Sequence, residues 1–97
     1  MPKAYFISTY QEVNNPDALA AYAELAVPAL TATGATFLAR GLPGAVKESG
    51  KSLRTVLIEF ESLQAALDAY DSAAYQAAMK ELAGNAVVRD IRILEGL

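Results

Sequence analysis

The 97-residue chain contains no histidine, no cysteine and no tryptophan. Without cysteine there is neither a disulfide nor a thiolate nucleophile, so the fold is indifferent to redox compartment. Without histidine the usual zinc and haem ligand sets are also missing, and neither a metal nor a cofactor is expected. No nucleophile–base triad can be assembled, and no glycine-rich phosphate loop is present. Positive charge is sparse: eight Lys and Arg against eleven Asp and Glu leave a net charge of −3. Nucleic-acid affinity comes from clustered basic groups that neutralise phosphates. The basic residues here are scattered from Lys3 to Arg92, so no nucleic-acid partner is expected. No apolar run approaches the ~20 residues of a membrane span. The opening "MPKAYFISTYQEV" lacks a signal peptide's long apolar segment and small-residue cleavage site. The expected location is therefore cytoplasmic, with no membrane partner.

What is present is globular in composition, with 54% apolar and 20% charged residues. A chain of this length suits one domain, residues 1–97, with one thin core. "KAYFISTY" is aromatic and β-branched and reads as a strand. "NNPDALAAYAELAVPALTATG" reads as a helix with Asn15 as N-cap, Pro16 in the first turn and Asp17 at the positive end of the dipole. Leu19, Tyr22, Ala26 and Leu30 form its apolar stripe. Gly34 supplies the stop, because it can take positive φ. Pro28 removes one helical hydrogen bond and predicts a kink or break there.

"ATFLARG" reads as a second strand, and "LPGAVKESGKS" as an exposed connection with a short paired segment near Val46. "LRTVLIEF" is a strand apolar enough to be covered on both faces. Ser62 caps a helix that runs through Leu63, Ala66, Leu67 and Tyr70, and Ser72 caps a further segment spanning about Ala73 to Ala83. "AVVRDIRILEG" is the last strand. The order β-α-β-β-α-β predicts an α+β, ferredoxin-like sandwich: a four-stranded antiparallel sheet with helices on one face and the first and third strands central.

Helices on one face leave the other uncovered. Leu53, Thr55 and Leu57 alternate with Val56, Ile58 and Phe60, so one set faces away from the helices. Apolar surface of that kind marks an interface. A two-fold homodimer with sheets packed face to face would bury it.

Several segments carry a resemblance: "KAYFIS", "NPDALAAYAELAVPAL" with its internal proline, "ATFLARG", "VLIEFESLQAALDAYDSAAYQ" and the terminal "ILEGL". The chain resembles the family of small, mainly bacterial proteins called domain of unknown function thirteen-thirty. It departs from the family's pattern where Gly34-Ala35 and Gly41-Leu42 replace paired glycines. The resemblance implies a dimeric α/β-barrel fold and no established activity. The wider superfamily includes cofactor-independent monooxygenases, muconolactone isomerase-like enzymes, haem-degrading enzymes and ligand-binding proteins, and fold alone selects none of these.

The candidate site is a pocket between sheet and helices that takes a small acidic or phenolic metabolite. Arg40 ends an apolar strand, where a guanidinium can hold a carboxylate or enolate in two-pronged fashion; its structural alternative is a salt bridge with Glu59. Glu59 in a partly dry setting can act as a general base, or can simply pair an arginine. Tyr70 and Tyr75 can each donate to an oxyanion, although their spacing equally signals packing around the Asp71-Ser72 junction. Tyr5 and Tyr22 complete the expected lining. Arg40, Glu59 and Tyr70 are the catalytic candidates if the protein is an enzyme. The alternatives are a monooxygenase- or isomerase-like enzyme without a cofactor, and a purely structural dimer whose interior is filled by Leu19, Tyr22, Leu67 and Tyr70.

Overall fold

A computed structural model describes residues 2–97. Strand β1 (Ala4–Val13) leads into helix α1 (Pro16–Thr31), followed by β2 (Thr36–Gly41) and β3 (Thr55–Phe60). Helices α2 (Leu63–Asp71) and α3 (Ala73–Met79) come next, then a 3-10 turn at Lys80–Leu82 and β4 (Val87–Glu95). The four strands form one antiparallel sheet in the order β2-β3-β1-β4, with β1 and β3 central.

Alternation along the central strands determines which residues form the core. Ala4, Phe6, Ser8 and Tyr10 of β1 and Val56, Ile58 and Phe60 of β3 are buried towards the helices, while their odd-numbered neighbours face the other way. Tyr22, Ala26 and Leu30 of α1 pack down on this row, as the stripe predicts. The Asn15 side chain accepts from the Ala18 amide at 3.1 Å and starts the helix. Gly34 takes φ +92° after it ends.

Three local expectations need correction. Pro28 does not break α1, which continues to Thr31. Proline forfeits only its own amide bond; the Pro28 carbonyl still accepts from the Ala32 amide at 3.0 Å, and Ala26 and Leu30 on either side of it are anchored in the core. The segment near Val46 pairs with nothing as a strand, and Val46 is exposed. On α2 Ala66 is buried, but Leu67 is 40% exposed and Ala69 is buried in its place. Small residues on that face let the helix approach the sheet closely.

The junction between α2 and α3 is built by Ser72. Its hydroxyl donates to the Ala69 carbonyl at 2.7 Å and accepts from the Tyr75 amide at 3.3 Å, so it closes one helix and opens the next. Tyr75 is thereby turned inwards and is fully buried. No helix among the described residues is long and apolar enough to cross a membrane.

Candidate functional site

A cavity of about 260 Å³ lies between the sheet and α1. Hydrocarbon from Leu19, Ala23 and Leu30 forms its roof, and Phe6, Phe37 and Ile58 form part of its floor. Against this apolar background stand six polar side chains: Ser8, Tyr10, Tyr22, Arg40, Arg54 and Arg89. Few polar groups converging on an apolar hollow is the usual make-up of a small-molecule site, and the volume is just under the ~300–1,000 Å³ typical of such sites. The space is therefore not filled by Leu19, Tyr22, Leu67 and Tyr70.

Arg89 organises the site. Register places it opposite Tyr10 on the inward face of β4. Its Nη1 donates to the Tyr22 hydroxyl at 3.0 Å and to the Tyr10 hydroxyl at 3.4 Å, and its Nη2 donates to the Tyr75 hydroxyl at 3.1 Å. Nη2 also rests against the Met79 sulfur. The Tyr22 and Tyr75 hydroxyls share a hydrogen bond of 2.6 Å. The guanidinium carbon lies 4.9 Å from the Tyr22 ring centre and 5.8 Å from that of Tyr10, within the range of cation–π attraction.

No carboxylate joins this group: the ion pairs among the described residues are Lys3 with Glu59 and Glu61, and Arg92 with Asp90. Burial pushes Tyr22 well above the ordinary phenol range, reinforced by the Tyr75 hydroxyl and only partly opposed by Arg89. Burial raises Tyr10 as well. Both are therefore neutral phenols near neutrality. For Arg89, burial works against the charge, but the surrounding hydroxyls of Tyr22 and Tyr75 outweigh it and the net shift is upward. The wall of the cavity thus carries a half-buried positive charge held by neutral groups.

Arg40 reaches the same cavity because of a β-bulge. Phe37 opposes Ile58 and Ala39 opposes Leu57, leaving Leu38 as the extra residue, so Arg40 falls opposite Val56 on the inward face. Regular alternation from Phe37 would have aimed it at the other face. Its guanidinium lies 5.9 Å from the Phe37 ring centre. Arg54 precedes β3 on the same face, its carbonyl accepting from the Tyr10 amide at 2.9 Å.

Of the residues expected from the sequence, Arg40 and Tyr22 line the cavity. Tyr75 stands directly behind Tyr22 and Arg89 and touches the site through its hydroxyl. Tyr70 packs its ring on Phe6 at 6.2 Å and Tyr75 at 5.4 Å and does not line the cavity. Tyr5 and Glu59 are brought together, but on the outer face: the Tyr5 hydroxyl donates to Glu59 at 3.3 Å, and Lys3 lies 3.6 Å from the same carboxylate. They oppose one another across β1 and β3, and both alternate with buried residues. The expected Arg40–Glu59 salt bridge is accordingly absent, since the two side chains project from opposite faces of the sheet. Arg89, Tyr10, Ser8 and Arg54 were missed. The overlooked signal was parity, because Arg89 shares its face with Ile91 and Ile93 whereas Arg92 does not.

Fold and site together describe an α+β, ferredoxin-like protein with an arginine-bearing cavity under one helix. The chain is similar over 99% of its length to a protein of unknown function from Rhodopseudomonas palustris, at 16% identity and TM-score 0.73, covering 83% of that chain. A dimeric ferredoxin-like protein of unknown function from Bacteroides fragilis matches with TM-score 0.56 and 19% identity over 96% of this chain and 95% of that one. A candidate antibiotic biosynthesis monooxygenase from Caulobacter crescentus gives TM-score 0.56 and 17% identity over 99% and 91%. At such identities the likeness shows the fold. No curated protein matches the sequence. Residues 3–97 match the family model described as Domain of unknown function (DUF1330), and the chain belongs to that family.

Proposed function

We propose that the protein binds a small acidic or phenolic metabolite in the cavity beneath α1. The observation that carries this reading is Arg89, a cation on the cavity wall whose partners are phenols and a thioether rather than a carboxylate. Removing a guanidinium from water is costly unless an anion compensates. A ligand carboxylate or enolate is the natural counter-ion, and Arg40 and Arg54 on the same walls add to the attraction.

The test is calorimetric titration with benzoate, phenylacetate and short branched aliphatic acids. At least one of them is expected to bind the wild type. Arg89→Met should weaken that binding about 30-fold, the low end for truncating one partner of a buried charge pair, because Arg89 is half-buried. Arg40 is more exposed, so Arg40→Ala should weaken it less, and Glu59→Gln on the far face should leave it unchanged. Failure of every acid to bind at millimolar concentration would remove the reading.

A catalytic version is the second reading, favoured by the neutral phenols of Tyr10 and Tyr22 next to Arg89, which can donate to a developing oxyanion. Conversion of a bound acid without added cofactor, lost in Tyr22→Phe with binding retained, would establish it.

The reading includes a homodimer in the cytoplasm, joined through the outer face of the sheet. That face carries Leu94, 60% exposed, and a hollow of about 370 Å³ bordered by Ala39, Leu42, Pro43 and Leu57. Sedimentation at micromolar concentration is expected to give a species of twice the chain mass, and a monomer would end this part of the proposal.

A further inference from the structure

The floor of the cavity changes character along the strands. At one end it is hydrocarbon, where Phe37 of β2 opposes Ile58 of β3 and Ile58 opposes Phe6 of β1. Further along β1 the row is polar: Tyr10 opposes Arg89 of β4, and its amide donates to the carbonyl of Arg54 on the other side at 2.9 Å. Arg40, opposite Val56, falls between these rows. All three arginines line the cavity, and no Asp or Glu does.

The three cations are not equivalent. Arg40 is exposed, so water and salt screen it, whereas Arg54 and Arg89 are half-buried on either side of the buried Tyr10. Burial raises Tyr10, and the charges of Arg89 and Arg54 both act on it in the opposite sense, so the two guanidiniums converge on one phenol. Arg89 has both terminal nitrogens engaged by hydroxyls and by Met79. Among the described residues, no hydrogen bond or ion pair holds the guanidinium of Arg54. Like charges gathered on a low-dielectric wall repel one another, and such a wall concentrates anions. One carboxylate offsets one of the half-buried pair. Offsetting both takes two.

Resting on the small-acid reading above, we propose that the ligand is a dicarboxylic acid with both carboxylates at one end of an apolar body, one beside Arg89 and the other on Arg54. Arg54 is then the residue that sets specificity for the second charge, since its donors are the ones left uncommitted. The apolar body lies over Phe37, Ile58 and Phe6, where the floor offers no polar side chain.

The experiment titrates benzylmalonate and 3-phenylpropanoate calorimetrically into wild type and Arg54→Gln, in mildly alkaline buffer that ionises both carboxylates of the malonate. The two acids share a phenyl body and differ by one carboxylate. Wild type should bind benzylmalonate about tenfold more tightly, the low end for a hydrogen bond to a charged group. Arg54→Gln should lose that preference while binding 3-phenylpropanoate within about twofold of wild type. Equal affinity of the two acids for wild type would overturn the inference and leave the small-acid reading standing. An equal loss for both acids in Arg54→Gln would overturn it too. Phenyl phosphate, titrated alongside, carries its charge on a single group; tighter binding than benzylmalonate would overturn the dicarboxylate in favour of a phosphate ester. Binding of neither carboxylic acid would remove this inference, and the small-acid reading would then stand or fall on its own panel.

Discussion

The two faces of the sheet treat positive charge in opposite ways. On the outer face each paired cation meets a carboxylate from nearby in the sheet or chain: Lys3 with Glu59 at 3.6 Å and Glu61 at 3.7 Å, and Arg92 with Asp90 at 3.1 Å. Each pair has at least one well-exposed partner, and surface pairs of that kind contribute about 0–1 kcal/mol. On the inner face Arg89 is surrounded by phenols and a thioether, which orient it without neutralising it. In a chain of net charge −3, acidic residues are not in short supply, so their absence around Arg89 reflects placement. A charge cancelled by its own protein is a structural element; one that is oriented but left uncancelled can recognise an anion.

The sharpest way to break this contrast is Tyr75→Phe. The change keeps the ring, which packs at 6.4 Å from Phe6 and 6.0 Å from Tyr22, and removes the hydroxyl shared by Tyr22 and Arg89. Loss of about 2 kcal/mol is expected, read as a fall of roughly 10 °C in Tm for a domain of this size. A fall under about 2 °C would equate this network with an exposed ion pair and dissolve the contrast.

A smaller effect should appear in alkali. Tyr22, held above its ordinary value of 10.0 by burial and by Tyr75, keeps its proton in the folded protein where the unfolded chain loses it. The unfolded state then binds fewer protons, so stability falls as pH rises above about 10. The contribution is fully present below that pH. Thermal melts between roughly pH 9 and pH 11 should show the decline, and it should be flatter in Tyr22→Phe. An identical slope in both proteins would mean that Tyr22 ionises as freely folded as unfolded.

Much of the scaffold could be read from residue order. Asn15, Ser62 and Ser72 each accept the hydrogen bond expected of an N-cap, and the stripe Tyr22-Ala26-Leu30 faces the sheet. These are local matters of spacing and backbone valence. The site was less legible. Arg40 and Tyr22 line the cavity, but Tyr5 and Glu59 belong to the other face, and Arg89 was not among the expected site residues. Assigning a face requires knowing which parity of each strand meets the helices, and one extra residue at Leu38 reverses the parity of Arg40. A bulge leaves no reliable mark in composition.

By itself, the order of residues determined the element sequence, the caps, the apolar stripe and the chemistry unavailable to a chain lacking histidine and cysteine. Hydrogen-bonding valence and side-chain periodicity act over a few residues, so they are visible locally. Only the tertiary structure decided that Tyr10, Tyr22, Tyr75 and Met79 would gather on Arg89, and that the Ser8 hydroxyl would be buried without a partner. Those neighbours lie up to 79 positions apart in sequence. Their meeting depends on strand register, on a bulge and on the seating of α1, which are set by packing of the whole fold rather than by any one segment.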